Sequence, residues 1–114
     1  MKRILLIGID RIITLDMGEA LKNMGYDVEY AIGKEEGIEK IRQSTYNLII
    51  INNLPKDDGE RFYQDVFEIS QDSARKILFI SGEITEFIKT SGNPFLPKPF
   101  TDEELIDLVK RLLS

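Results

Sequence analysis

The sequence contains neither cysteine nor histidine. Without cysteine there is no disulfide frame, no thiolate nucleophile and no zinc ribbon. Without histidine the commonest general base and the commonest metal ligand are missing, so any catalysis would have to run on carboxylates, lysine or hydroxyls. Basic charge is also in deficit. The 15 Lys and Arg against 20 Asp and Glu leave a net charge of −5, which argues against nonspecific nucleic-acid binding, because a phosphate backbone demands a basic footprint. The acidity is read as solubility. No stretch approaches the ~20 apolar residues that a membrane helix needs. Met1 to Arg3 followed by Ile4 to Ile7 looks superficially like a signal peptide, but Asp10 and Arg11 cut the apolar run short, and a buried strand is the better reading. A cytoplasmic protein, off the membrane and not bound to nucleic acid, is the expectation. No linker, low-complexity tract or solenoid repeat interrupts the chain, so its 114 residues read as one domain over 1–114, long enough to bury a core.

What is present is a regular alternation. Lys2 to Ile7 reads as a buried strand, apolar on both faces as parallel strands require. Ile13, Met17, Ala20, Leu21 and Met24 then fall at helical spacing, and Gly25 sits where a helix stops. Tyr26 to Ala31 is a second strand, and Lys34 to Gln43 a short helix carrying Ile38 and Ile41. Leu48 to Ile51 is the strongest strand signal, closed by Asn52, Asn53 and Pro55. Glu60 to Ile69 puts Phe62, Val66 and Ile69 on one helical face; Lys76 to Ile80 is a buried strand; Glu83 to Thr90 is a brief helix; Phe95 and Leu96 form a short last strand. Thr101 opens the final helix with Glu104 as its capping-box partner, and Leu105, Leu108, Val109 and Leu112 make its stripe.

Strands that alternate with helices predict a doubly wound α/β domain, a parallel sheet covered on both faces. In such sheets function gathers outside the carboxyl ends of the strands, where strand order reverses. The segments to watch are therefore Gly8 to Arg11, Asn52 to Gly59, Ser81 with Gly82, and Lys98.

At those places the chain resembles the receiver domains of two-component response regulators. The most specific piece is Leu96-Pro97-Lys98-Pro99-Phe100; supporting pieces are Arg3 to Ile7, Tyr46 to Ile51, the Pro55 loop with Asp58 and Gly59, and Ile80-Ser81-Gly82. The resemblance implies a flavodoxin-like five-stranded sheet in the order 2-1-3-4-5. The stretch from Ser81 to Lys98 is shorter than is usual for the family, which implies a shortened fourth helix and puts the family's usual dimer face in doubt.

The resemblance also implies a chemistry that these residues do not supply. Receivers hold Mg²⁺ with an acidic pair after the first strand and with the phosphoacceptor aspartate after the third, and magnesium requires oxygen ligands. The matching pair here is Gly8 and Ile9. Asp10 lies one place further on, where the pleat aims it elsewhere. Asn52 stands at the phosphoacceptor place, or Ile51 if the loop is aligned backwards from Pro55 and Gly59; neither is a carboxylate nucleophile. Asp57 and Asp58 read as turn and N-cap formers. Ser81 matches the family's switch hydroxyl, Phe95 its switch aromatic and Lys98 its phosphate-binding lysine. Ser81 can equally satisfy a strand-end backbone group, and Phe95 can be ordinary core. Lys98, held between two prolines, is expected to point into the pocket and bond Asn52 or a backbone carbonyl.

The leading expectation is thus a pseudo-receiver. Such a module is no enzyme; it acts in phosphorelay signalling by protein–protein interaction without aspartate phosphorylation, and needs neither Mg²⁺ nor any other cofactor. Its partners would be a histidine kinase or an effector domain, with a homodimer also open. The alternative is a phosphoaccepting receiver that uses a relocated Asp10, Asp57 or Asp58. A flavodoxin-like nucleotide binder ranks third, because no Gly-rich or Ser/Thr-rich phosphate loop follows the first strand. The chain ends directly after its last helix, so a stand-alone protein and a piece of a longer regulator are both open.

Overall fold

The alternation read from sequence becomes a single parallel sheet in the computed structural model of the chain, which describes residues 1–52, 54–55 and 58–114. Its strands are β1 (Arg3–Gly8), β2 (Asp27–Ile32), β3 (Leu48–Asn52), β4 (Ile77–Ser81) and β5 (Phe95–Pro97), in the order β2-β1-β3-β4-β5. Between them run α1 (Arg11–Lys22), α2 (Lys34–Gln43), α3 (Asp58–Ile69), α4 (Gln71–Arg75), α5 (Glu86–Ser91) and, last, α6 (Asp102–Leu113). The doubly wound α/β expectation and its strand order hold.

Side chains alternate across each strand, and the core divides accordingly. Ile4, Leu6, Leu48, Ile50, Leu78 and Ile80 pack on one face against Met17 and Leu21 of α1 and Leu105 and Val109 of α6. Leu5, Ile7, Ile49, Ile51, Ile77 and Phe79 pack on the other face with Ile41 of α2, Phe62 and Val66 of α3 and Ile88 of α5. Being buried on both faces is what makes these strands read as continuous apolar runs.

Four expectations need correction. First, α1 does not bury the Ile13–Met24 stripe: Ile13 and Met24 are exposed, while Thr14, Met17, Gly18 and Leu21 face the core. The helix turns this way because Gly18 lets the Tyr30 ring lie where a Cβ would be, and Thr14 fills the space over Gly8. Second, one helical turn, α4, was not foreseen; the Ser70 hydroxyl caps it by accepting from Ser73 N at 3.1 Å. Third, the helix expected from Glu83 starts only at Glu86, capped by Thr85, and runs six residues. In α6, Leu113 is buried where Leu112 was expected. The capping box forms with both of its hydrogen bonds, Glu104 N to Thr101 Oγ1 and Thr101 N to Glu104 Oε1, each 3.1 Å.

Candidate functional site

The carboxyl ends of β1, β3, β4 and β5 make one rim, and the parallel register sets its geometry. Gly8 pairs with Asn52, Asn52 with Ile80, and Ser81 with Pro97. The Lys98 backbone N–H donates to Ser81 O at 2.9 Å, tying the β5–α6 loop to the end of β4. The Lys98–Pro99 peptide bond is cis.

Position 8 is closed to any side chain. A Cβ on Gly8 would run into Thr14 Oγ1, and that hydroxyl is fixed by donating to Asp10 O at 2.6 Å. Ile9 is half exposed. Asp10 is committed as the N-cap of α1, its Oδ1 accepting from Ile13 N at 3.0 Å. Asp58 opens α3, its backbone N–H donating to Pro55 O at 2.9 Å, and its charge suits the positive end of the helix dipole. Asp57 lies outside the described residues. Among the described residues no group of three or more Asp, Glu, His or Cys side chains is placed to hold a metal ion. The donor set of these residues therefore does not match the oxygen ligands that a receiver's Mg²⁺ requires.

Asn52 is only 3% exposed, and among the described residues its Oδ1 has no hydrogen-bond partner. Among the described residues the expected bond from Lys98 forms neither to Asn52 nor to a backbone carbonyl. The Lys98 side chain is partly buried without a counter-charge among the described residues, and burial alone pushes its ammonium below the ordinary lysine value. The cause is the setting. Asn52 and Lys98 line one cleft of about 500 Å³, but they share it with Ile13, Met17, Pro99 and Phe100, which bring no polar side chain to either.

The structure does not bring Ser81 into that cleft. Its hydroxyl donates to Glu83 O at 2.9 Å and accepts from Glu83 N at 3.1 Å, closing the turn after β4, and it lines a separate hollow with Ile51, Leu54, Gly59 and Ile88. Phe95, at 41% exposure, is not core. Sequence reasoning missed Thr14. A threonine four places after an N-capping aspartate can return its hydroxyl to that residue's carbonyl, and a glycine at the strand end leaves room for it.

The model of the response regulator receiver domain matches residues 4–110. The chain belongs to that family. It is 28% identical, over 99% of its length, to a CpxR homolog from Haemophilus influenzae described as a transcriptional regulatory protein, and covers 51% of that relative. The chain thus spans about half the length of the curated relatives it matches. Among solved structures it resembles the chemotaxis protein CheY4 of Vibrio cholerae, with a TM-score of 0.85, 28% identity and 99% of both chains covered. The response regulator TrrA of Thermotoga maritima, solved in complex with Mg²⁺-BeF, superposes with a TM-score of 0.84 at 26% identity, covering 99% of this chain and all of the other. This receiver domain shares the family's five-stranded sheet, and its rim carries Gly8, Ile9 and Asn52 with Lys98 directly after β5.

Proposed function

We propose that this receiver domain of the two-component response regulator family is a pseudo-receiver, which signals by binding partners and not by accepting a phosphoryl group. One observation carries the reading. The three rim positions that would supply carboxylates are Gly8, Ile9 and Asn52, and the first is filled by Thr14. An amide oxygen is a poor nucleophile and adds no charge for a metal. The two nearest described acids serve as a helix cap and a first-turn residue.

Receiver domains of this family interact with histidine kinases and effector domains, and the proposed partners are of those kinds. The domain is taken to span 1–114, to act in the cytoplasm and to catalyse nothing. Among the described residues, no helix is long and apolar enough to cross a membrane. The face made by α5, β5 and α6 carries a six-residue α5 and an exposed Phe95, which supports a changed partner or dimer surface.

The test is ¹H–¹⁵N NMR of the domain titrated with Mg²⁺ and then with BeF₃⁻. The reading expects no saturable shifts at Gly8 to Arg11, Asn52 or Ser81. Saturable shifts there would mean a working phosphoryl site and would overturn it.

A further inference from the structure

Among the described residues, exposed apolar side chains gather on α1 and its entry. Ile9, Ile12, Ile13 and Leu15 all face solvent, Ile12 at 73% exposure. Contiguous apolar surface of this kind marks an interaction site. Because Thr14, Met17, Gly18 and Leu21 take the core, Ile12 and Leu15 are left side by side on the outer face, at the spacing of a helix-pairing seam. Charge flanks that pair with opposite signs. At about 3.6 residues per turn, Arg11 lies along one side of the Ile12–Leu15 line and Asp16 along the other. The two cannot meet within their own helix, and neither side chain has an ion-pair or hydrogen-bond partner among the described residues. Arg11 also stands in the first turn, where no acid accompanies it and the helix dipole disfavours a cation.

We propose that α1 pairs in parallel with α1 of a second copy of this chain, with Ile12 and Leu15 as the seam and Arg11 of each copy facing Asp16 of the other. A parallel pair sets a flanking position beside the one five residues on in the opposite helix, and Arg11 and Asp16 are that far apart. Two-fold symmetry makes the contact twice, so an ion pair closes each side of one apolar seam. An antiparallel pair would set each flank against the same flank of the other copy, acid against acid, so the charges select the parallel arrangement. Ile9, just ahead of the helix, extends the apolar contact at its start. Glu19 ends it. One heptad after Ile12 it would meet its own copy, so the helices cross at Ile12 and Leu15 and diverge beyond them. A seam this short makes a small interface, of the weak and transient class. It uses α1 and not the face of α5, β5 and α6, and it does not depend on whether the rim accepts a phosphoryl group.

The test is sedimentation velocity and ¹H–¹⁵N NMR of the chain from about 20 µM to about 1 mM, the range that resolves a weak dimer. The expected result is reversible dimerisation with a dissociation constant on the order of 100 µM, and concentration-dependent amide shifts confined to residues 9–19. Ile12→Gln should weaken the dimer at least about tenfold. Arg11→Asp and Asp16→Arg should each weaken it about fivefold or more, and the two combined in one chain should return to within about twofold of the native value. Glu19→Leu, which lengthens the seam, should tighten it at least about tenfold. All four positions are exposed, and an unchanged spectrum elsewhere reports that the fold is kept; Ile12→Ala replaces Ile12→Gln where that variant loses it. A chain that stays monomeric at about 1 mM would overturn the proposal and leave the seam to a different protein. A dimer indifferent to Ile12→Gln, a charge swap that fails to restore association, or shifts at Phe95 and α5 in place of α1 would overturn it equally.

Discussion

A buried oxygen that accepts no hydrogen bond lowers stability by the hydration it has lost, and Asn52 Oδ1 is in that position among the described residues. Leucine has a similar shape and nothing to satisfy. Asn52→Leu is therefore expected to raise stability by about 1–2 kcal/mol, read as a higher denaturant midpoint at unchanged slope. Lys98→Met should be neutral or stabilising by up to about 1 kcal/mol, because it removes a partly desolvated charge and no bond. The Lys98 pKa is lowered in the folded state, so its penalty is fully present below the folded value. The penalty fades as pH rises from the folded value through the ordinary lysine pKa, above which both states are neutral. The advantage of Lys98→Met over the native chain should shrink over that alkaline window. A clear loss of stability in Lys98→Met would show a lysine that does hold the rim. At this scale the sequence was a partial guide. Residue types at the rim were legible from position alone, but whether the Lys98 side chain met Asn52 depended on its conformation in the loop after β5, and nothing in the order of residues states that.

At the scale of elements, the seat of α1 on the sheet decides what the rim can contain. Gly8 and Gly18 each lie where a Cβ would collide, with Thr14 and with Tyr30 respectively. The helix accordingly rolls Ile12 and Ile13 outward, against what an apolar stripe alone predicts. Gly8→Ala is expected to cost about 1–3 kcal/mol through overpacking, and Thr14→Ala in the same chain should recover part of that cost, as a double-mutant cycle will register. Strict additivity of the two changes would mean that Thr14 does not occupy the place of the missing side chain. The strands were legible because burial on both faces leaves unbroken apolar runs, and the start of α6 because Thr101 and Glu104 carry the capping-box signature. Helix α4 was not, since one turn capped by Ser70 has no period to detect. The roll of α1 was not either, because close approach by glycine is a property of two elements together.

In the molecule as a whole, one cluster of paired charges around Glu29 lies away from the rim. Glu29 on β2 is ion-paired and hydrogen-bonded to Arg3 on β1, accepts from the Tyr46 hydroxyl at 3.1 Å and lies 3.8 Å from Lys40. The Arg3 hydrogen bond above all holds the Glu29 carboxyl below its ordinary range, against some desolvation. Because the folded pKa is depressed, this contribution is present above the unfolded value and is lost as pH falls through the folded one. Glu29→Gln should therefore flatten the decline in stability from about pH 5 downward, measured by denaturant midpoints; an unchanged acid limb would assign that decline to other carboxylates. The doubly wound fold could be read from the sequence because the alternation of strands and helices runs along the whole chain, and the strand order followed only from the family resemblance. The partner could not, since the face carrying Phe95 and the short α5 shows a surface without showing what meets it. The central claim concerns chemistry at the rim, and intact-mass spectrometry after incubation with acetyl phosphate and Mg²⁺ tests it most directly. The pseudo-receiver account predicts an unmodified mass. A gain of one phosphoryl group, abolished by changing Asp10, Asp57 or Asp58, would contradict it.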